Sequence, residues 1–455
     1  METPILSERP TFIDLFSGCG GLSLGLAQSG WQGIFAIERA TDAFETFRAN
    51  FLDTESRHRF LWPDWLAQSA HSIDDVLKNH EQQLKEMLNT VDLIAGGPPC
   101  QGFSFAGKRS SSDPRNKLFE RYVSFVGLIK PKFLVLENVP GMKIAHARAG
   151  SVSVRSARTY YDKLHAALSE RGYVVEPMDL DATNFGVPQR RNRLVVIGVR
   201  PDVAKRLPLG TAGVLERIHA VGVEQLRWLG GGHPVTAEDA ISDLVVGPNL
   251  RGAPVIEYTR STTRRGYKQL DYEGPNESSA YQKFMNEGVA RDEMDSMRLA
   301  RHTKDVRDRF KRILARTRGR RGVNLSEDDR KFLGMRKHRT VPMSPSQPAP
   351  TLTTLPDDIL HYSDPRILTV RESARLQSFP DWFTFHGKYT TGGDRRKVEC
   401  PRYTQVGNAV PPLLARAVGV ALLEACGSVP ADPRAEHRSK SGIGKKTLFK
   451  TTLAR

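Results

Sequence analysis

One cysteine of this chain directly follows two prolines, in the segment GGPPCQGFSFAGKRSSSDPRN, residues 96–116. The residues before it, VDLIAGG, have the pattern of a buried strand, so Cys100 is expected just past the strand's carboxyl end, where open α/β sheets bind ligands. Pro98 and Pro99 restrict the backbone and would hold a nucleophile in place. The alternative, a small buried hydrophobe, fits less well with the serine-rich, basic stretch that follows.

An acid and several polar side chains are predicted near this cysteine. The segment FLVLENVPG leaves Glu137 at the end of the next predicted strand, and neighbouring strand ends would bring Cys100 and Glu137 to one cleft. A capping or salt-bridged carboxylate is the alternative for Glu137. The segment PQRRNRLVV is extended, and alternation directs three of its side chains to one face: Gln189, Arg191 and Arg193. A basic edge strand that resists aggregation is the alternative for this segment.

A glycine-rich turn follows the first predicted strand, in DLFSGCGGLSLGLAQSG. Gly18 and Gly20 would let the backbone approach a ligand, with helix N–H groups directed at it. Ser23 replaces the last glycine of the dinucleotide fingerprint, so a carboxylate is favoured over a pyrophosphate. Glu38, eighteen residues after Gly20, is spaced to accept hydrogen bonds from both ribose hydroxyls. S-adenosylmethionine, a nucleoside that carries an amino acid, satisfies both ends; a purely structural turn is the alternative.

The elements that would position these residues alternate between strands and helices. Four apolar runs, TFIDLF, GIFAIE, VDLIAGG and FLVLENV, predict buried strands, and GYVVEPMDLDATNFGVPQRRNRLVVIGVR predicts two more around a loop. The segments YDKLHAALSERG and PPLLARAVGVALLEAC predict helices. The fold class is therefore α/β, with a mostly parallel sheet.

The chain has 455 residues, enough for about two or three domains, and a net charge of +16 that indicates a polyanionic partner such as nucleic acid. Charge that serves only solubility is the alternative. The four cysteines form no CxxC pair and no metal-ligand spacing, which favours a reducing compartment and no metal. Neither a secretory signal nor an 18-residue apolar stretch is evident, so we expect a cytoplasmic protein without a membrane partner.

Four regions are predicted along the chain: a catalytic, cofactor-binding domain over 1–200, a loop-rich domain over 201–365, a return segment over 366–426, and a basic, disordered tail over 427–455. Within the second region, residues 301–321 carry ten lysines and arginines against two aspartates. Val306, Phe310, Ile313 and Leu314 would form the apolar stripe of a helix there. Either a solvated helix or contact with phosphates explains its charge.

The ordered motifs together resemble those of DNA (cytosine-5) methyltransferases of the bacterial restriction-modification type. The matching segments are DLFSGCGG, Glu38, GGPPCQGFS, LENV, PQRRNR, RESARLQSFPDWF and QVGNAVPP. The resemblance spans residues 11 to about 420, and the unmatched centre coincides with the family's variable target-recognition domain, closed by PAPTLTTL at 348–355. It implies a Rossmann-like, S-adenosylmethionine-dependent methyltransferase fold plus a smaller domain that binds double-stranded DNA.

By this resemblance Cys100 attacks C6 of a cytosine that is flipped out of the duplex, and C5 then receives the methyl group. Glu137 would hold N3 of the base, Arg193 its O2, and Arg191 would orient the acidic groups. The family's cofactor-binding positions correspond to Phe16, Gly18, Gly20, Glu38, Pro99, Leu118 and Asn408. The family's third cofactor element, an acidic residue, has no clear match, and Asp64 in LWPDWLAQSA is the candidate for it. Its DNA contacts correspond to Gln101, Ser104, Lys108, Arg109 and Gln189. Ala409 replaces a usual serine, which would remove one hydroxyl contact.

Two rival functions are compatible with the motifs: a tRNA cytosine-5 methyltransferase on the same scaffold, and a catalytically silent DNA-binding module. The long basic interval favours a duplex reader, and the presence of both Cys100 and Glu137 favours an active enzyme. We expect a monomer, with a cognate restriction endonuclease as a genetic rather than a physical partner.

Overall fold

The computed structural model describes residues 9–99, 118–144, 159–245, 270–272, 279–289, 294–318, 320–335, 337–391, 395 and 398–431. Five residues with predicted roles lie outside the described residues: Cys100, Gln101, Ser104, Lys108 and Arg109. The predicted tail lies outside them from residue 432 onward.

A six-stranded sheet in the order β2-β1-β3-β4-β6-β5 forms the centre of the molecule. Its strands are β1 (Thr11–Leu15), β2 (Gln32–Ile37), β3 (Leu93–Gly96), β4 (Phe133–Asn138), β5 (Val174–Asp181) and β6 (Asn192–Val199). The first four are parallel to one another, whereas β6 is antiparallel to both β4 and β5. All six predicted strands, and the α/β class with a mostly parallel sheet, are confirmed.

The helices that cover this sheet fall into two packed groups. One group contains α3 (Ile73–Asn79), α4 (Glu81–Glu86), α5 (Leu118–Ile129) and α6 (Tyr160–Ser169). The other contains α1 (Gly21–Ser29), α8 (Gly210–Gly230) and α15 (Pro412–Ala425), while α2 (Thr41–Phe51) and α7 (Pro201–Ala204) complete the helices around the sheet. Strands β1 and β3 are buried along their whole length because helices cover them, which explains their continuous apolar runs. Strand β5, at one edge of the sheet, instead alternates exposed and buried residues.

Helix α8 lies within the interval that the sequence assigns to the second domain. Its residues Val214, Ile218 and Val221 are nevertheless buried in the same core as the sheet. Gln225 of this helix donates hydrogen bonds to Phe185 O (2.8 Å) and Leu413 O (3.0 Å). The structure therefore differs from a boundary at residue 200, because the core of the first region continues through α8.

The central region and the return segment are built from short elements. They comprise α9 (Ala237–Ile241), α10 (Ala280–Met285), α11 (Lys304–Arg316), α12 (Glu327–Phe332), α13 (Val370–Leu376) and α14 (Arg402–Asn408). Two small sheets pair β7 (Leu244–Val245) with β8 (Asp271–Tyr272) and β9 (Val341–Pro342) with β10 (Ile359–Leu360). The expected helix within 301–321 is confirmed as α11, with Phe310, Ile313 and Leu314 buried.

Buried arginines of α13 join the return segment to the central region. Arg375 donates to Asp243 and, at 2.7 Å, to Asp381. Arg371 pairs with Asp295 and donates to Phe383 O at 2.8 Å. Because a charged side chain is buried at low cost only when it is paired, these contacts fix one arrangement of the two regions.

Helices α1 and α15 approach unusually closely, although they come from opposite ends of the chain. A Cβ atom at Gly25 would collide with the carbonyl oxygen of Pro412 and lie 2.5 Å from Ala415 Cβ.

Among the described residues no single helix has both the length and the apolarity to cross a membrane; α14 and α15, bent by 42°, meet that test only as a pair.

The contact between α1 and α15 predicts that Gly25→Ala destabilises the protein by about 1–3 kcal/mol, because the added methyl group overpacks the core. Gly127→Ala, in α5, is the matched control. A Cβ there would meet only the flexible Arg171 side chain at 3.3 Å, so higher helix propensity should stabilise by about 0.5–1 kcal/mol. Urea unfolding measures both, and equal effects of the two substitutions would contradict the prediction.

Candidate active site

The turn after β1 is held in a left-handed backbone conformation by glycine and by packing. Gly20, at φ 97°, caps α1, and a Cβ there would collide with the Phe51 ring and lie 3.1 Å from Phe47. Ser17 N donates to Ile37 O at 3.1 Å, which ties the turn to the end of β2. Phe16 also adopts a positive φ of 62°, a costly conformation for a residue with a side chain.

Glu38 lies at the end of β2 and closes the same turn. Its Oε2 accepts a hydrogen bond from Gly18 N (3.0 Å) and its Oε1 one from Ala40 N (2.7 Å). Burial raises the pKa of this carboxyl group. Each carboxylate oxygen keeps a second lone pair, so Glu38 can still accept from the hydroxyl groups of a ligand.

The surroundings of the turn fit a polar ligand. Apart from Gly18 and its two chain neighbours, no atom of the described part of the chain lies within 4 Å of a Cβ built on Gly18, so space is open beside the turn. Ser17 Oγ is buried, and no hydrogen-bond partner for it is found among the described residues. An orphaned hydroxyl, an open glycine and a carboxylate match the amino-acid and ribose ends of S-adenosylmethionine.

The other predicted cofactor residues lie on several separate elements. The chain beyond β2 runs back along it, with Leu61 N donating to Gly33 O (3.0 Å) and His71 N to Glu38 O (2.8 Å). Four further predicted residues lie at loops or helix ends: Asp64, Pro99 and Asn408, which are exposed, and Leu118, which is partly buried at the start of α5.

Asp14, within the quoted motif DLFSGCGG, is a polar residue of this region that sequence reasoning passed over. It is fully buried in β1, and its Oδ2 accepts a hydrogen bond from Ser23 Oγ at 2.6 Å. Burial raises its pKa from 3.8 to about 7, against the lowering effect of the Ser23 hydrogen bonds. Ser23, which replaces the last glycine of the fingerprint, therefore holds the buried Asp14 carboxyl group in place by a hydrogen bond.

Glu137 and Arg193 form an ion pair at the carboxyl end of β4. Arg193 Nε lies 2.6 Å from Glu137 Oε1, and the two side chains are only 11% and 12% exposed. The turn that leads to Cys100 lies against this pair, because a Cβ at Gly97 would be 3.3 Å from Glu137 Oε2. Asn138 Nδ2 donates to Pro98 O at 3.1 Å, which fixes the double proline beside β4.

Gln189 and Arg191 are buried rather than directed toward a DNA surface. Gln189 is 0% exposed; its Nε2 donates to Gln377 Oε1 (2.7 Å), and its Oε1 accepts from Leu352 N (2.8 Å). The structure therefore contradicts the predicted DNA contact of Gln189, because the return segment and residues 348–355 pack over this face. Arg191 Nη2 donates to Gly407 O (2.9 Å) and Ala409 O (3.1 Å), the carbonyls on either side of Asn408.

Gln377, in the motif RESARLQSFPDWF, completes this buried network and was also missed from the sequence. Its Nε2 donates to Val406 O at 2.7 Å and to Ala409 O at 3.2 Å. The network thus joins the segment that carries Arg193 to the carboxyl end of α14, where Asn408 lies. Elsewhere in the described residues, no group of three or more His, Cys, Asp or Glu side chains could hold a metal ion.

The model of the family "C-5 cytosine-specific DNA methylase" matches residues 10–424, from the residue before β1 to the penultimate residue of α15. The chain belongs to this family. It is 32% identical over 418 residues to the type II methyltransferase M.DdeI of Desulfomicrobium norvegicum, with 89% of this chain and 86% of that protein covered. It is 31% identical over 442 residues to M.XorII of Xanthomonas oryzae, with 93% and 87% covered.

Solved structures share the fold of this methylase. One, described as a DNA modification methyltransferase encoded within an E. coli prophage, has a TM-score of 0.58 at 24% identity, with 92% of this chain and 100% of that chain covered. The Dnmt2 methyltransferase of S. pombe has a TM-score of 0.52 at 15% identity, with 92% and 100% covered. Both likenesses concern the fold alone.

Because the Asp14 carboxyl group is buried, we expect Asp14→Asn to change the stability of the methylase in a pH-dependent way. With a folded-state pKa raised from 3.8 to about 7, ionisation of Asp14 costs stability as pH rises through that window. The variant lacks this titration but can still accept from Ser23. Its free energy of unfolding relative to wild type should therefore rise between about pH 4 and 7, by up to about 4 kcal/mol. Urea unfolding across this range tests it, and parallel curves for the two proteins would refute it.

The Gln377 network predicts that Gln377→Glu weakens cofactor binding by about tenfold, because a carboxylate cannot donate to the carbonyls beside Asn408. Calorimetric titration with S-adenosylmethionine measures the change, and Gln68→Glu, on the exposed surface, is the control. Equal affinities of both variants would show that the network does not position Asn408.

Proposed function

We propose that this methylase transfers the methyl group of S-adenosylmethionine to C5 of a cytosine within a specific sequence of double-stranded DNA. The base is flipped out of the duplex, and Cys100 Sγ forms a covalent bond to its C6. The observation that carries the proposal is the sheltered ion pair of Glu137 and Arg193 beside the turn that precedes Cys100.

The reaction needs a nucleophile because C5 of cytosine is otherwise inert toward an electrophile. Addition of the Cys100 thiolate to C6 would make C5 electron-rich, and S-adenosylmethionine would supply the electrophilic methyl group, with S-adenosylhomocysteine as the leaving group. Removal of the C5 proton by a side chain or water then returns an electron pair to the ring and expels the thiolate. The thiolate is regenerated, so the bonds and charges balance over the cycle.

Glu137 and Arg193 suit the role of binding the ring while charge develops on it. A carboxyl group can share a proton with N3, and a guanidinium can donate to O2. Arg193 uses its Nε for Glu137, so the pair presents an acid and a cation together. Their low exposure strengthens both interactions, since water screens them little.

The cofactor would lie at the turn after β1, with Gly18 and Glu38 at its amino-acid and ribose ends. Phe16, Gly20, Asp64, Pro99, Leu118 and Asn408 would line the rest of that site. Arg191 would act through the carboxyl end of α14, since it donates to the carbonyls of Gly407 and Ala409, on both sides of Asn408.

The duplex would be held by the sequence segment after Cys100, through Gln101, Ser104, Lys108 and Arg109, and by a target-recognition domain within residues 201–365. Relatives named as type II methyltransferases favour a role as the modification enzyme of a restriction-modification system. Bisulfite sequencing of DNA from expressing cells would reveal the methylated cytosine and its sequence. Modified tRNA without modified DNA would overturn the proposal in favour of the tRNA enzyme.

The covalent step predicts that Cys100→Ser lowers the rate of methyl transfer by roughly 10³-fold or more, because a hydroxyl group is far less ionised than a thiol. DNA binding by the variant should persist, which a gel-shift titration would verify. Cys426→Ser, at the end of α15, is the control and should methylate normally. Duplex DNA with 5-fluorocytosine at the target should trap a denaturation-resistant adduct of wild type only, and methylation by Cys100→Ser at the control's rate would exclude this chemistry.

A further inference from the structure

Helix α11 has one face fixed in the central region and another that faces solvent. Phe310 and Ile313 pack in a cluster with Leu325, Leu333 and Ile367, which sets the rotation of the helix. Its amino end is capped by the Thr303 side chain, which accepts from Val306 N. The side chains on the opposite face are therefore held outward by the packing of the helix itself.

The cations of this region divide into two sets. Arg316 and Arg320 pair with Asp329 at 2.9 and 3.2 Å, and hydrogen bonds from Ser326 and from these arginines lower the pKa of Asp329 to about 2. These two arginines neutralise a buried carboxylate and so serve the fold.

The second set is exposed, and its charges are not balanced locally. Lys304, Arg307 and Arg318 have no ion-pair partner among the described residues, and Lys311 lies 3.5 Å from Asp308 in an exposed pair. Exposed pairs of this kind contribute little to stability. Three of these four cations therefore have no acidic partner among the described residues, and exposed cations of this kind are suited to an external polyanion.

The spacing of these cations forms a stripe. Lys304, Arg307 and Lys311 follow one another at intervals of three and four, so they lie along one side of α11. Arg318 lies two residues beyond the end of α11 at Arg316, so the four cations extend over about 20 Å. Ala315, exposed on the same side, is small and does not block a close approach. Duplex DNA presents about one negative charge per 1.7 Å of its axis, so the stripe matches a phosphate backbone in charge and extent.

The chain just after α11 is hydrogen-bonded to the segment that carries Arg193. Gly322 O accepts a hydrogen bond from Arg190 Nη2 at 2.6 Å, and Arg190 is three residues before Arg193. Gly322 N donates to Pro342 O at 2.8 Å, which anchors the same turn to β9. These hydrogen bonds connect the turn that follows the stripe to the start of β6, where Arg193 contacts Glu137.

We propose that the stripe of Lys304, Arg307, Lys311 and Arg318 binds the phosphate backbone of duplex DNA independently of sequence. This inference rests on the proposed function, which supplies the duplex. The stripe adds affinity and steers association, while base readout is left to other residues of the central region. The contact holds the duplex in place while a base is extruded.

The test compares the full-length triple variant Lys304→Gln, Arg307→Gln, Arg318→Gln with wild type. Fluorescence anisotropy measures the affinity for a duplex that contains the methylated site and for one of unrelated sequence, from 50 to 200 mM salt. Loss of three phosphate contacts should reduce the slope of log affinity against log salt by about 2.7. Over that range, wild type should therefore lose about 40-fold more affinity than the variant, equally on both duplexes.

The control is an equal change of charge elsewhere: Lys78→Gln, Lys85→Gln, Lys163→Gln, on the exposed surfaces of α3, α4 and α6. Three results would overturn the proposal. They are the same change in salt slope in this control, an unchanged salt slope in the α11 variant, and a loss of affinity confined to the duplex with the target site. So would weakened binding to single-stranded RNA with duplex binding intact. Methylation by wild type is scored separately by bisulfite sequencing, so a failed stripe and a failed enzyme function give different results.

Discussion

The antiparallel pairing of β6 with β4 is the constraint on which the candidate active site depends. β4 runs parallel to β3, so its carboxyl end lies beside the turn that leads to Cys100. Because β6 runs the other way, its first residues meet the last residues of β4, with Asn138 opposite Leu194. Arg193, one residue earlier, is thereby brought against Glu137. If β6 were parallel to β4, Arg193 would lie at the amino end of β4, on the opposite side of the sheet from Glu137.

Strands and isolated helices could be predicted from local pattern, since each buried strand of this sheet is a short apolar run bounded by glycine, proline or polar residues. Helix α8 was missed because several glycines and charged residues obscure its apolar face in GTAGVLERIHAVGVEQLRWLG, and only packing against α15 makes that face evident. The boundary expected at residue 200 differs from the structure for the same reason. Local sequence indicates what an element is, whereas its partner depends on contacts far along the chain.

The candidate site shows the same division. Motif order led to Glu38, Glu137 and Arg193, and their neighbours in the structure suit the proposed roles. Alternation along PQRRNR correctly separated its side chains into two faces, but it could not indicate that residues 352 and 377 would cover the face of Gln189. Asp14 and Gln377 were missed because neither is unusual in type or spacing. Their importance comes from burial, which a single sequence does not reveal.

The close packing of α1 against α15 has a consequence for how the protein is made. The ribosome has synthesised all six strands of the sheet before it synthesises α15, the helix that packs directly against Gly25. At the usual rate of about 5–20 residues per second, the nascent chain spends roughly 10–50 s without that partner. The surface of α1 that α15 covers stays exposed during this interval, and exposed apolar surface of this kind favours aggregation of a nascent chain. Premature termination before residue 412 would yield a protein without its last core helix, unable to assemble the catalytic fold.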